Sequence, residues 1–313
     1  MSQAIQIEGL GKSFGKTVAL RSVDLEVPAG VVYGLLGPNG AGKTTIVRIL
    51  ATLLRPNAGR AFVSGHDVVA EGEAVRRVIG LTGQYAALDE ALTATENLVL
   101  IGRLGGMPAR EARSRSAELL EVVGLTDAAN RSVRTYSGGM RRRVDLAASL
   151  VGRPRVLFLD EPTTGLDPAS RLALWELVGR TVQDGTTVLL TSQYLEEVDR
   201  LASRIAVLDH GRVIAEGTPS ALKARIGGQV VAVRVHADAL DRTVAVLSAM
   251  GRVRVEIDEV IVPALGLDGL GEAMRRLAAA NVAVDEIALR TPSLDEVFLS
   301  LTNGGANHDE DAA

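Results

Sequence analysis

Short apolar runs alternate with amphipathic stretches along the first two thirds of the chain. The runs with the length of buried strands cover residues 5–7, 31–36, 78–81, 156–159, 187–190 and 205–208. They are flanked by helical patterns and lack the regular apolar and polar alternation of a half-exposed strand. The pattern therefore predicts an α/β fold with a sheet that is buried on both faces.

Helical patterns fill the spaces between these runs. A helix is predicted directly after Gly42, because apolar residues recur there at helical spacing. Thr93 and Glu96 have the spacing of a capping box, which starts another helix, and a further helix is predicted over about residues 109–123. Residues 93–134 thus form a helical subdomain inserted between two strand-bearing parts.

The pattern changes near residue 224, where Gly227 and Gly228 interrupt it. Beyond this break, strands are predicted over residues 230–235, 253–257, 260–263 and 282–288, and helices over 239–250 and 267–280. This βαββαβ order matches the ferredoxin-like split unit. We therefore expect a first domain over residues 1–224 and a small α+β domain over 225–302. Ser293 and Glu296 predict a short last helix, and the acidic tail 303–313 is predicted to be disordered.

Composition narrows the possible functions. Apolar residues make up 47% of the chain and charged residues 23%, as in ordinary globular proteins, and the net charge of −4 does not favour nucleic acid as a partner. The absence of cysteine excludes disulfides and thiolate chemistry. No apolar run approaches the roughly 18 residues of a membrane span, so no transmembrane segment is expected. The arginines of residues 141–143 are interpreted as a solvated helix face.

A phosphate-binding loop follows the apolar run 31–36. The sequence from Gly37 to Thr44 matches the pattern G-x-x-x-x-G-K-[ST], whose glycines let consecutive backbone N–H groups face phosphate oxygens. Lys43 would contact the β- and γ-phosphates of ATP, and Thr44 would bind Mg²⁺. The nucleotide-binding residues predicted in this loop are Gly37, Pro38, Asn39, Gly40, Ala41, Gly42, Lys43, Thr44 and Thr45.

Two adjacent acids end the apolar run 156–159. In open α/β folds, ligands bind at the carboxyl edge of the sheet, where this strand would deliver Asp160 and Glu161. Asp160 would hold Mg²⁺, directly or through water. Glu161 would accept a proton from the attacking water or orient it, and is therefore the predicted catalytic base.

The segment from Tyr136 to Met140 reads Tyr-Ser-Gly-Gly-Met and is followed by an arginine-rich helix. Ser137 can cap that helix, while Gly138 and Gly139 expose N–H groups at its positive end. Together with the two motifs above, this segment resembles the signature of ABC ATPases. The resemblance implies a P-loop NTPase core whose composite ATP sites form in a homodimer, each phosphate loop facing the partner's signature.

Further segments match this family in the expected order. The resemblance implies that Gln84 contacts Mg²⁺ and senses a transmembrane partner, and that Asp167 belongs to a loop that crosses the dimer interface. It also implies that Phe14 stacks on adenine. A lone phenylalanine is more often a core residue, so the residue alone would not support this role.

Two departures from the family pattern stand out. Tyr136 and Met140 replace the usual ends of the signature, while its Ser-Gly-Gly core is intact. Gln193 stands where most members have a histidine switch residue. Glutamine can hydrogen-bond a phosphate or a water but cannot carry a proton, so we expect slow turnover, with Gln193 in the switch role and Glu161 as the essential base.

Residues 193–197 and 291–302 are similar to those of the daunorubicin-resistance subfamily of multidrug ATP-binding subunits. This resemblance implies an ATP-hydrolysing subunit of a drug or antibiotic exporter, peripheral on the cytoplasmic face of the cell membrane. A transmembrane permease would dock on residues 93–134. The C-terminal domain would assist dimerisation or regulation, or sense a ligand.

The alternative is a soluble ABC ATPase that acts on ribosomes or DNA. Ribosomal members usually carry two such domains in one chain, whereas this chain has one phosphate loop. DNA-maintenance members insert long coiled coils before the signature, but no sustained heptads separate Lys43 from Tyr136. The sequence therefore favours transport.

Overall fold

The computed structural model describes residues 2–83, 88–225, 229–256, 258–264, 266–290, 293–295 and 297–298. The chain separates into two compact units, residues 1–216 and 217–313. This division lies at the end of a strand and precedes the position expected from the sequence, residue 224. Within the described residues, no helix combines the length and apolar character needed to cross a bilayer.

The first unit mixes strands and helices. In chain order they are β1 (Gln3–Phe14), β2 (Thr17–Pro28), β3 (Val32–Leu36), α1 (Lys43–Leu50), β4 (Ala58–Val63), β5 (His66–Asp67), α2 (Gly72–Val78), β6 (Ile79–Thr82), α3 (Ala94–Leu104), α4 (Ala109–Val122), α5 (Gly138–Leu150), β7 (Val156–Asp160), α6 (Pro168–Gln183), β8 (Thr187–Ser192), α7 (Leu195–Leu201), β9 (Arg204–Asp209) and β10 (Arg212–Gly217).

A 6-stranded sheet forms the centre of this unit, in the order β10-β9-β3-β8-β7-β6. The pairs β9-β3, β3-β8, β8-β7 and β7-β6 are parallel. Every residue of β3, β7 and β8 is buried, because helices cover both faces of a parallel sheet. The predicted buried sheet is therefore confirmed, and all of the predicted strands except residues 5–7 belong to it.

Residues 5–7 lie instead in a 4-stranded sheet of order β2-β1-β4-β5, whose pairs are antiparallel. Register shifts interrupt the long β1–β2 ladder at several points. Each shift breaks the alternation of apolar and polar positions, which explains why sequence periodicity did not reveal the other strands of this sheet. Side chains from both sheets and from α1 share one hydrophobic core that includes Ile5, Tyr33, Ile46 and Phe158.

Helices that the sequence predicted for the first unit begin at the expected positions. The Thr93 hydroxyl accepts a hydrogen bond from the Glu96 amide at 3.1 Å, and the Glu96 carboxylate accepts one from the Thr93 amide at 2.8 Å. This confirms the capping box at the start of α3. The helix predicted over residues 109–123 is α4, and α4 packs against α3.

The second unit contains α8 (Pro219–Arg225), β11 (Val230–Arg234), α9 (Leu240–Leu247), β12 (Arg254–Glu256), β13 (Glu259–Pro263), α10 (Gly266–Ala279) and β14 (Glu286–Arg290). Its strands form an antiparallel sheet in the order β12-β13-β11-β14. Valines on one face of β11 and β13 join Leu247 of α9 and Leu277 of α10 in a separate core. The order of elements is the one predicted from the sequence.

The last strand is displaced from its predicted position. The prediction was residues 282–288, whereas β14 covers Glu286–Arg290. The Val282 amide bonds to the Leu277 carbonyl at 3.0 Å, and Val282 and Val284 pack on the core from the connection that leads to the strand. Their apolar character therefore reflects packing in a connecting segment. Of the predicted last helix, residues 294, 295, 297 and 298 are helical, while Glu296 lies outside the described residues.

Candidate nucleotide-binding site

The phosphate loop connects β3 to α1 and is tightly curled. Gly37 and Gly42 have φ angles of 159° and 110°. A Cβ atom on Gly37 would lie 2.3 Å from the Leu208 carbonyl oxygen, and one on Gly42 would lie 2.8 Å from the Ala19 carbonyl oxygen. Only glycine fits at either position. The tip of the loop, residues 38–40, is exposed, and Ala41 is buried.

Lys43 reaches back into this loop. Its side chain is buried, and its Nζ donates to the carbonyl oxygens of Gly37 at 2.7 Å and Pro38 at 3.2 Å. Glu161 Oε1 lies 3.7 Å from the same atom. Burial lowers the pKa of Lys43, and the charges of Glu161 and Asp160 oppose this effect. The loop thus encloses a cation whose present partners are mostly neutral carbonyls, and a phosphate oxygen would be a stronger partner.

The start of α1 adds further donors. The first amides of a helix have no intrahelical acceptor, and here they belong to Lys43, Thr44 and Thr45, beside the curled loop. Thr44 and Thr45 are half-buried. The residues of this loop therefore suit a phosphate chain through its glycine backbone, its helix end and its lysine.

Asp160 ends β7 as a buried carboxylate. Its Oδ1 accepts hydrogen bonds from Thr191 Oγ1 at 2.6 Å and from Thr44 Oγ1 at 3.2 Å. A carboxylate and a hydroxyl are oxygen ligands of the kind that Mg²⁺ prefers. Within the described ranges, no group of three or more His, Cys, Asp or Glu side chains is arranged to hold a metal.

Glu161 occupies a left-handed backbone conformation, with φ of 50°. This conformation is uncommon for a residue other than glycine. The Glu161 amide donates to both the carbonyl and the hydroxyl oxygen of Thr191, each at 3.1 Å. These bonds stabilise the turn that directs the side chain toward Lys43 and away from β7.

Strand register explains how these residues meet. Asp160 pairs with Thr191 across β7 and β8, and Leu36 pairs with Ser192 across β3 and β8. The loops after these strands therefore leave the sheet side by side. Thr191 was not among the predicted site residues. A polar residue ending an apolar run was the available signal, but pairing with Asp160 was not visible in the sequence.

Gln193 is exposed in a bend between β8 and α7. Its neighbours are held in place: Ser192 Oγ donates to Glu197 Oε2 at 2.6 Å and accepts from the Tyr194 amide at 2.9 Å. Glu197 is fully buried and also accepts from Trp175 Nε1 of α6 at 3.2 Å. Sequence reasoning noted Glu197 only as part of the subfamily motif and did not identify this network.

The signature and the segment around Asp167 lie together. Ser137 caps α5 by accepting from the Met140 amide at 3.2 Å, and Asp167 caps α6 by accepting from Ser170. A Cβ atom on Gly139 would lie 2.2 Å from Ser170 Oγ, while Gly138 faces open space. In the part of the chain that the structure describes, no hydrogen bond or ion pair joins this cluster to the phosphate loop.

Phe14 and Gln84 are the two remaining predicted site residues, and only Phe14 lies within the described part of the chain. Phe14 ends β1 with 49% of its surface exposed, and Lys12 Nζ lies 5.3 Å from its ring centre. The ring is therefore available for stacking and is not a core residue. Gln84 lies outside the described residues, so its predicted role stays a prediction.

The arginines of α5 differ from their interpretation as a solvated face. Arg142 keeps only 13% of its side chain exposed and donates to the carbonyl oxygens of Gly83 and Pro162, both at 2.7 Å. Arg143 donates to the Val123 carbonyl, and Arg141 pairs with Glu90. The interpretation was wrong for Arg142, because α5 turns this residue toward the end of β7.

Comparison with known proteins gives relatives over nearly the whole chain. The sequence model of the ABC transporter family matches residues 20–164. A daunorubicin/doxorubicin resistance ATP-binding protein of Streptomyces peucetius is 53% identical over 98% of this chain and 94% of its own length. The linearmycin resistance ATP-binding protein of Bacillus subtilis is 36% identical, over 95% of this chain and 98% of its own length.

Solved structures match about seven tenths of the chain. The structure of cbiO1 from Clostridium perfringens, part of the ABC transporter complex cbiONQ, has a TM-score of 0.67 and 27% identity. The match covers 72% of this chain and 92% of that chain. The likeness establishes an ABC ATPase fold with its mixed α/β, P-loop sheet.

The buried Glu197 makes stability depend on pH. Burial raises the pKa of Glu197, although hydrogen bonds from Ser192 and Trp175 oppose this effect. A carboxyl whose pKa is raised by folding contributes most stability below its unfolded pKa of about 4.3 and loses that contribution as pH rises through the raised value. We expect the unfolding free energy of the parent to decrease, relative to that of Glu197→Gln, as the pH rises above the unfolded pKa of about 4.3 toward neutrality.

Denaturant unfolding followed by fluorescence measures this difference, because Trp175 is the single tryptophan of the chain and contacts Glu197. If the unfolding free energies of the parent and of Glu197→Gln differed by the same amount throughout this pH range, the prediction would be contradicted.

Proposed function

Because the chain belongs to the ATP-binding subunits of ABC transporters, which couple ATP hydrolysis to transport, we propose that it powers the export of a drug or antibiotic through a separate permease. The observation that carries the proposal is the cluster of the buried Lys43 and Asp160 with Glu161 at the glycine loop, in a chain similar over nearly its full length to resistance ATP-binding proteins. The likeness to the linearmycin resistance protein supports a second kind of compound as the exported substrate.

ATP would bind along the phosphate loop. Residues 37–45 would surround its phosphates, Lys43 would exchange its carbonyl partners for the β- and γ-phosphates, and Phe14 would stack on adenine. The exposed ring of Phe14 and the curled glycine backbone support these roles.

Mg²⁺ would be held by Thr44 and Asp160, whose oxygens already share a hydrogen bond, together with Gln84. Two or three protein ligands suit this ion, since it usually completes its shell with water and substrate phosphates. When bound, Mg²⁺ neutralises charge on the phosphates.

Glu161 would be the general base for the attacking water. Its carboxylate lies beside Lys43, and its backbone is held by Thr191 in an otherwise unfavourable conformation. Gln193 would orient the water or the γ-phosphate by hydrogen bonding without taking a proton. Gln193 is exposed between Ser192, which bonds to Glu197, and Tyr194, whose amide bonds to Ser192, and this supports the assignment.

Two copies of the chain would form the composite sites. Ser137, Gly138 and Gly139 would contact the nucleotide of the partner, and Asp167 would lie at the interface. The open space at Gly138 and the capped start of α5 support an anion there.

The subunit would bind its permease through the helical subdomain, residues 93–134, and so lie at the cytoplasmic face of the membrane without entering it. No nucleic acid partner is expected. The C-terminal unit would be a ferredoxin-like domain that supports dimerisation or regulation. Its antiparallel sheet supports this fold, because the first strand of the unit lies between its third and fourth strands.

Glu161→Gln tests the catalytic assignment. The amide keeps the shape of the side chain but cannot accept the proton, so we expect kcat for ATP hydrolysis to fall at least about 100-fold while ATP still binds. Phosphate release and binding of a fluorescent ATP analogue measure the two effects. Glu176→Gln, the same change at an exposed position of α6, serves as the control. Hydrolysis by Glu161→Gln at the parental rate would refute the role of Glu161.

Gln193→His tests the switch position. We expect the ATPase rate of the variant to acquire a titration near the histidine pKa of about 6.5 that the parent lacks. Rates measured across this pH range with saturating ATP check the prediction. Superimposable profiles would show that position 193 does not take part in the rate-limiting step.

Export itself is tested in cells that express this chain together with the polytopic membrane protein that co-purifies with it. We expect drug tolerance with the parent chain and none with Lys43→Ala, because removing the buried cation removes the main contact to the phosphates. Efflux of a fluorescent anthracycline gives the rate. Equal efflux with both chains, or stimulation of the ATPase by RNA or DNA in place of a permease, would contradict the proposal.

A further inference from the structure

Arg142 lies on the second turn of α5, the helix that begins at the signature. Its guanidinium is arranged around backbone oxygens: Nε donates to the Pro162 carbonyl and Nη1 to the Gly83 carbonyl, each at 2.7 Å. Nη2 lies 3.4 Å from the carbonyl oxygens of Asp160 and Glu161. One side chain thus contacts the backbone of both site carboxylates.

These carbonyls belong to two neighbouring strand ends. Gly83 directly follows β6, and Pro162 follows the end of β7, with which β6 pairs in parallel. Gly83 is also the residue before Gln84 in the sequence. Since the guanidinium is planar and presents its donors in a rigid arrangement, a movement of α5 is transmitted to both strand ends together.

The charge of Arg142 is balanced within the same region. Asp145 Oδ2 lies 3.3 Å from Nη1, one turn further along α5, and is itself buried. Burial lowers the pKa of Arg142, and the carboxylates of Asp145, Asp160 and Glu197 oppose this effect. A buried, multiply hydrogen-bonded cation has few alternative positions of similar energy, so it favours one arrangement of these strand ends.

The neighbouring arginines do not share these contacts. Arg141 pairs with Glu90 at 3.2 Å and donates to the Arg134 carbonyl, and Arg143 donates to the Val123 carbonyl. In the described part of the chain, both therefore contact segments other than the ends of β6 and β7. This difference separates Arg142 from the general effect of positive charge on α5.

We propose that Arg142 is a positioning residue that couples the two ATP sites of the dimer. The start of its helix would contact the partner's nucleotide, while its guanidinium holds the strand end that carries Glu161 of its own site. Engagement of the signature on one nucleotide then sets Glu161 for hydrolysis of the other. The inference rests on the proposed function, because it requires composite sites in a homodimer.

The experiment compares the full-length parent with Arg142→Gln, Arg142→Lys and the matched control Arg141→Gln. ATPase rates against ATP concentration give kcat, KM and the Hill coefficient, and a fluorescent ATP analogue gives the Kd. The parent is expected to be cooperative, with a Hill coefficient above about 1. For Arg142→Gln we expect kcat to fall about 10- to 100-fold and the Hill coefficient to approach 1, because Glu161 is misplaced, while the Kd changes less than about threefold.

Arg142→Lys keeps the charge beside Asp145 but cannot reach all the carbonyls, so we expect it to fold normally and to recover only part of the cooperativity. The double variant Arg142→Met with Asp145→Asn removes both charges together and avoids leaving a buried carboxylate uncompensated. It should show the same loss of cooperativity. Arg141→Gln should match the parent within about twofold.

The outcomes are distinguishable. Parental kcat and Hill coefficient in all three Arg142 variants would overturn the inference, and so would a lower kcat with unchanged cooperativity, since Arg142 would then shape only its own site. A parent without ATPase activity would contradict the proposed function itself.

Discussion

The parallel alignment of β3, β8 and β7 is the constraint on which the site depends. Because the three strands run in one direction, their carboxyl ends meet at one edge of the sheet. The register then places Asp160 opposite Thr191 and Leu36, the last residue before the phosphate loop, opposite Ser192. A shift of this register by one residue would turn each side chain to the other face of the sheet. The glycine loop, the carboxylates and residues 192–194 at the end of β8, here called the switch segment, are therefore neighbours because of hydrogen bonds between backbones.

The site also concentrates buried charge. Lys43 and Asp160 are each 4% exposed and Glu197 is fully buried, although charged side chains are rarely buried without partners. Removing one partner of a buried ion pair costs roughly 3–5 kcal/mol, whereas a hydrophobic replacement of the whole pair is often neutral. Stabilisation of the fold therefore does not explain why these charges are buried. Their burial is better explained by the proposed function, which requires Lys43, Asp160 and Glu161 to keep fixed relative positions.

The C-terminal unit is built by different means. Its charged residues pair across the antiparallel sheet. Arg290 of β14 donates twice to Glu259 of β13 at 2.7 Å, although β11 lies between these two strands. Arg234 of β11 contacts Glu259 and Glu286 on the strands to either side of it. Such cross-strand pairs favour one register of the sheet. The described part of this unit therefore combines ion pairs within its sheet with an apolar core of its own.

The sequence by itself determined the local features: the curled loop with Lys43, the acids Asp160 and Glu161, the capped starts of α3 and α5, and the order of elements. Each of these depends on residues close together in the chain, where steric limits and helix capping act directly. Tertiary structure alone decided that Thr191 bonds Asp160, that Arg142 is turned inward, and that Glu197 supports the switch segment. Those contacts join elements distant in sequence, and they follow from which strands are neighbours and which helix faces are covered. Periodicity does not encode that choice, because an apolar strand can pair with any other strand of similar length.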